Sequence, residues 1–155
     1  MPIHPTAIVD PAARIDATAI VGPYCVIGED VTIGARTELK AHVYCEGPTW
    51  IGEDNIFYPY ASVGVASQDL KYRGERAETH IGSRNKIREF VTIHRGTEGG
   101  GLKTIIGDDN LLMAYTHVAH DVLLRTPWLR HRGHRKPAER PAPAHPRKAE
   151  HVAGH

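Results

Sequence analysis

The residues most suited to chemistry fall in three short stretches. They are Gln68-Asp69-Leu70-Lys71-Tyr72, the turn His94-Arg95-Gly96, and His120-Asp121 with His117 just before it. A neutral imidazole near pH 7 suits a general base, and a neighbouring carboxylate can fix its tautomer. A histidine beside carboxylates and a lysine therefore points to proton transfer. Two plainer readings stand beside that one. A histidine or aspartate in a turn commonly just caps it, and His94, His117 and His120 are also the right residue types for a zinc site. Which reading applies depends on whether the chain brings these stretches together.

The positioning elements follow from a six-residue beat. Ile3, Val9, Ile15, Val21, Ile27, Ile33, Leu39, Cys45, Ile51, Phe57 and Val63 are spaced by six without a miss. In a chain that is 41% hydrophobic, the chance of this is about one in ten thousand. A second series, Ala7, Ala13, Ala19, Cys25, Val31, Thr37, Val43, Thr49, Asn55 and Ala61, holds mainly small or β-branched residues. Each six makes a strand of about three residues with alternating side chains, so Cys25 and Ile27 face inward and Val26 outward. The remaining positions turn the chain, often through glycine (Gly22, Gly28, Gly34, Gly52, Gly64), which tolerates unusual backbone angles. Strands this short can wrap a prism, with three strands per coil and coils stacked in parallel about 4.8 Å apart. The expected fold class is all-β, a parallel β-helix of about six coils. Its likeness to hexapeptide-repeat proteins implies the left-handed form.

The beat survives two interruptions, resuming at Ile81, Ile87 and Ile93, then at Ile106, Leu112, Val118 and Leu124. Residues 64–78 and 94–103 are therefore excursions. Counting by coil stacks Val9, Ile27, Cys45, Val63, Ile93 and Val118 on one face. Both excursions leave from the corner after that face, and the next coil turns there through Ala119-His120-Asp121. Three chemically equipped stretches thus converge on one corner, which favours a site over three separate turn caps.

The 155 residues are read as one domain over 1–124 and a basic tail over 125–155. No apolar run reaches the ~18–20 residues of a membrane span, and the N-terminus has no charged-then-apolar signal peptide. Cys25 and Cys45 fall on diagonal positions of adjacent coils, about 8 Å apart, too far for a disulfide and consistent with a reducing compartment. Residues 1–124 carry 11 Lys/Arg against 16 Asp/Glu, whereas residues 125–155 carry 8 against 2. A basic tail can be a nucleic-acid or membrane-seeking arm. Richness in Pro, Arg, His and Ala without interleaved aromatics favours instead a disordered segment or translation out of frame. No nucleic-acid partner is expected.

Several strings carry a family resemblance: HPTAIVDPAA from His4, QDLKYRGE from Gln68, IREFVTIHRGT from Ile87, the run Gly99-Gly100-Gly101, and DNLLMAYTHVAHD ending at Asp121. Together they closely resemble the UDP-N-acetylglucosamine 3-O-acyltransferases of lipid A biosynthesis over residues 1 to about 122. The resemblance implies a cytoplasmic homotrimer that moves a 3-hydroxyacyl chain from acyl carrier protein to the glucosamine 3-hydroxyl of UDP-N-acetylglucosamine. It implies no metal, cofactor or covalent intermediate. It also implies that His120 is the general base and Asp121 its support, that Gln68, Asp69 and Lys71 bind the sugar nucleotide, and that His94 and His117 line the site.

Thioester acyl transfer needs a base and an oxyanion donor; the sequence shows the base but not the donor. Members of the family continue with more coils and a helical region, which supply a further histidine, the acyl groove and basic residues. The resemblance therefore implies a fragment with impaired or no catalysis. Two other readings remain. One is a non-catalytic β-helical partner for full-length subunits. The other is a zinc carbonic anhydrase-like protein using His94, His117 and His120.

Overall fold

A computed structural model describes residues 3–125. Among these residues, seventeen short strands pass in turn to three sheets, so that each sheet collects every third strand. The first face stacks Ile8–Val9, Val26–Ile27, Tyr44–Cys45, Ser62–Val65, Thr92–His94 and His117–Val118. The second stacks Arg14–Ile15, Val31–Ile33, Thr49–Ile51, Glu78–Ile81, Lys103–Ile106 and Leu123–Leu124. The third runs through Ile20–Val21, Glu38–Leu39, Ile56–Phe57, Lys86–Ile87 and Leu111–Leu112. All pairs are parallel, and Val9, Ile27, Cys45, Val63, Ile93 and Val118 form one continuous column. The parallel β-helix expected from the six-residue beat is the fold observed. The tail expectation for 125–155 falls almost wholly outside the described residues.

Alternation puts one aliphatic residue of each strand inside the prism. Phe57, Ile27, Ile33, Leu39, Ile87, Ile93 and Ile106 are its largest fully buried side chains. Cys25 and Cys45 are buried and unpaired with each other, and burial pushes both thiols up, away from the reactive thiolate.

A buried polar ladder runs up one edge of this core. Asn55 Oδ1 accepts hydrogen bonds from Asn85 N and Nδ2 at 2.9 and 3.0 Å. Asn85 Oδ1 in turn accepts from Asn110 N and Nδ2 at 2.8 and 2.9 Å. Thr37 occupies the same position one coil earlier, accepting from Asn55 N at 3.2 Å.

The turns differ from the sequence expectation. Gly64 takes the unusual angle expected of it, with φ 73°, but Gly22 and Gly34 do not; elsewhere non-glycine residues such as Tyr24, Asp30, Arg36, His42, Asp54 and Tyr60 supply it, with φ between 54° and 66°. Glycine is required for a different reason, the close approach of the next coil. A Cβ on Gly34 would stand 2.7 Å from the Gly52 carbonyl oxygen, and one on Gly22 would strike that of Lys40. The left-handed turn residues then stack on their counterparts above. Tyr24, His42, Tyr60, Phe90 and Tyr115 form a column of rings 4.9–5.1 Å apart at one corner. At another corner Arg36 bonds Asp54 and Arg84 bonds Asp109, both at 2.7 Å. These ion pairs are exposed and add little individually.

At the third corner the strands extend slightly beyond the expected interruptions. Val65 pairs with His94 after a bulge, and Glu78 pairs with Lys103. The excursions proper are residues 66–77 and 95–102, and both leave and rejoin the prism at this corner.

Candidate active site

The two excursions and the turn after His117–Val118 enclose a cleft of about 430 Å3. Asp69, Lys71 and Glu75 line it from the first excursion, Thr97, Glu98, Gly99 and Gly100 from the second, and His120 and Asp121 from the turn. Coil stacking thus brings together four residues that spacing had placed there: Asp69, Lys71, His120 and Asp121. Within the first excursion, Asp69 Oδ1 accepts the Lys71 amide at 2.9 Å, an Asx turn that holds both on one loop tip.

His120 Nδ1 lies 2.6 Å from Asp121 Oδ2. Asp121 also receives the Thr97 amide on Oδ1 at 2.7 Å and the Thr97 hydroxyl on Oδ2 at 2.6 Å. Its own amide donates to Thr104 Oγ1 at 2.9 Å, holding the turn in the left-handed conformation with φ 62°. Burial alone would raise the Asp121 carboxyl, but the hydrogen bonds from Thr97 and His120 outweigh it and hold the group below the usual carboxylate range. An ionised carboxylate only accepts, so His120 must donate from Nδ1.

A pH dependence follows. A carboxyl whose folded pKa is depressed contributes stability that is fully present above its unfolded value of about 3.9 and is lost as pH falls through the folded value. The stability gap between the native chain and Asp121→Asn is therefore expected to be constant from pH 7 to about 5 and to close only below about pH 4. Urea unfolding of both proteins across that range checks it. A gap that closes between pH 7 and 5 would contradict the assigned ionisation.

Three expected site residues do not line the cleft. Gln68 is exposed on the first excursion. His94, expected in a turn, is the last residue of a strand and is buried, its ring edge-on to His117 with centroids 4.8 Å apart. Burial, then the nearby His117 and His120, push its imidazole below the usual range and keep it neutral. His117 Nδ1 lies 2.7 Å from Thr92 Oγ1 on the outer surface. Among the described residues, no group of three or more His, Cys, Asp or Glu side chains is arranged to hold a metal ion. The zinc reading therefore lacks a ligand set within these residues.

Glu75, Thr97, Glu98 and Gly100 line the cleft but were not singled out from sequence. Glu75 joins the excursions, accepting the Arg73 amide at 2.7 Å and the Glu98 amide at 3.2 Å. Glu75, Thr97 and Gly100 stand within motif strings quoted above, and that was the available signal.

No family model matches the chain. It is 50% identical over 119 residues to an acyl-[acyl-carrier-protein]–UDP-N-acetylglucosamine O-acyltransferase of Thermodesulfovibrio yellowstonii, a stretch covering 77% of this chain and 46% of that protein. The solved LpxA of Acinetobacter baumannii is 50% identical with a TM-score of 0.80, over 81% of this chain and 48% of the other. That of Moraxella catarrhalis gives the same identity and TM-score, over 81% and 49%. The chain belongs to the LpxA family, the UDP-N-acetylglucosamine acyltransferases of lipid A biosynthesis. It spans about half the length of the LpxA relatives it matches. The resemblance carried by QDLKYRGE and THVAHD is thereby borne out. Among the described residues of this LpxA-family chain, no helix is long and apolar enough to cross a membrane.

Proposed function

We propose that this corner is the acyl-acceptor half of an LpxA-type site, acting on UDP-N-acetylglucosamine in the cytoplasm. The observation that carries the reading is the His120–Asp121 pair facing Asp69 and Lys71 across one cleft. Asp121 engages Nδ1 of His120 and leaves Nε2 to take the proton from the glucosamine 3-hydroxyl. The oxygen then attacks the thioester carbonyl of a 3-hydroxyacyl carrier protein. An O–C bond forms, the C–S bond breaks, and the proton passes from His120 to the departing thiol. Lys71 is suited to the sugar nucleotide's phosphates and Asp69 to its hydroxyls. Gln68 borders this loop and contacts the nucleotide from its rim. His94 and His117 flank the base. Family membership supports a homotrimer.

The test is an assay with UDP-N-acetylglucosamine and 3-hydroxyacyl carrier protein, with the ester position in the product determined by NMR. A 3-O-acyl product that disappears in His120→Ala supports the reading. A second reading is a non-catalytic β-helical partner for an intact subunit. Absence of product together with co-purification alongside an intact subunit would establish that reading and overturn catalysis by this chain.

A further inference from the structure

The second excursion has a feature that turn formation does not explain. Thr97 stands at the N-cap of the 3-10 turn Glu98–Gly100, where a threonine hydroxyl ordinarily caps the turn's own amides. It makes no such bond. It is buried, and both its amide and its hydroxyl are turned onto the Asp121 carboxylate. Gly100 lies over the same carboxylate: a Cβ there would land on the Asp121 carboxyl group, although the Gly100 backbone adopts no conformation that demands glycine. Gly99, its neighbour, would place a Cβ in open space.

We infer that Thr97 and Gly100 are positioning residues for the base: Thr97 clamps Asp121 with two donors, Gly100 leaves the room the clamped carboxylate needs, and together they hold His120 in the Nδ1–H tautomer. This rests on His120 being the base of the proposed reaction. Two donors from one residue fix the carboxylate's rotation, so Oδ2 stays in line with the imidazole. Free imidazole side chains favour the opposite tautomer, with the proton on Nε2, which could not accept from a substrate hydroxyl. Asp69, Lys71, Glu75 and Glu98 face the pair across the cleft, and His94 and His117 flank it, but none of them donates to Asp121.

The tautomer is read directly by long-range 15N–1H correlation spectra of the full chain, with no substrate present. In the native chain the Nδ1–H form of His120 is expected to dominate where the ring is neutral. Thr97→Val and Gly100→Ala are each expected to shift the tautomer ratio about tenfold toward Nε2–H, the size of a lost charge-assisted hydrogen bond. Both are also expected to raise the Asp121 titration toward the ordinary range. Thr97→Ser keeps the hydroxyl, Gly99→Ala touches nothing, and both should match the native spectra.

Native tautomer and native Asp121 titration in folded Thr97→Val and Gly100→Ala would overturn the inference. If Thr97→Val does not fold, Gly100→Ala decides. A scalar coupling across the hydrogen bond from the Thr97 amide nitrogen to the Asp121 carboxyl carbon tests the clamp in the unsubstituted protein, and its absence would likewise overturn it. Because no reading here depends on turnover, a chain with the expected tautomer shifts but no acyl product would refute the proposed function and leave the clamp standing.

Discussion

His120→Ala is expected to lower kcat/KM for acyl transfer by about 10²–10⁴, the usual contribution of a positioned general base. The loss should appear in kcat, with KM for UDP-N-acetylglucosamine almost unchanged. Abstraction of the hydroxyl proton occurs only on the way to the transition state, so removing the base removes no ground-state binding. Asp121→Asn should cause a loss of similar order by another route. An asparagine amide can donate to Nδ1, which would put the imidazole proton on Nε2 and leave no acceptor for the substrate. Steady-state kinetics of both variants check this. A His120→Ala protein within about threefold of the native rate would mean that proton abstraction is done elsewhere.

The second large effect lies in the core. Asn85 is fully buried and serves both neighbours of the ladder, donating to Asn55 and accepting from Asn110. Asn85→Ala would take from Asn55 Oδ1 one of its two bonds and leave the buried Asn110 amide without its acceptor, while Asn110 Nδ2 keeps the Asp108 carbonyl at 3.1 Å. At about 1–3 kcal/mol for the amide left unsatisfied, with the two weakened side-chain bonds added, the expected destabilisation is about 2–4 kcal/mol. Asn85→Leu should do no better, since filling the space restores none of the bonds. Denaturant unfolding measures this directly. A loss below about 1 kcal/mol would show that the ladder merely occupies space.

The prism was legible because its period is short and its inside-outside alternation is strict. The column from Val9 to Val118 follows from counting alone, and so does the meeting of two excursions with His120-Asp121. What counting supplies is where the chain leaves the prism and where it returns. It does not supply the path between, so nothing in the spacing marks Glu75 or Thr97 as cleft residues, and Gln68, expected there, stands exposed on the excursion. Nothing in the hexads reveals that the strand runs one residue further and buries His94 against His117. The Asn ladder was hidden by the same interruptions. Asn55, Asn85 and Asn110 share one position on consecutive coils, but excursions of unequal length separate them in sequence. Glycine was read for its conformational freedom, whereas Gly22 and Gly34 are needed because the next coil's backbone leaves no room for a Cβ.

The central claim is that stacked coils assemble an acceptor site from Asp69, Lys71, Thr97–Gly100 and the His120–Asp121 pair. Titrating the isotope-labelled chain with UDP-N-acetylglucosamine, while following amide and imidazole resonances, tests that claim most directly. Saturable shifts centred on those residues, weakened by Lys71→Ala and sparing the aromatic column at Tyr24 and Tyr60, are the predicted result. Shifts centred on another corner, or none at saturating sugar nucleotide, would contradict it.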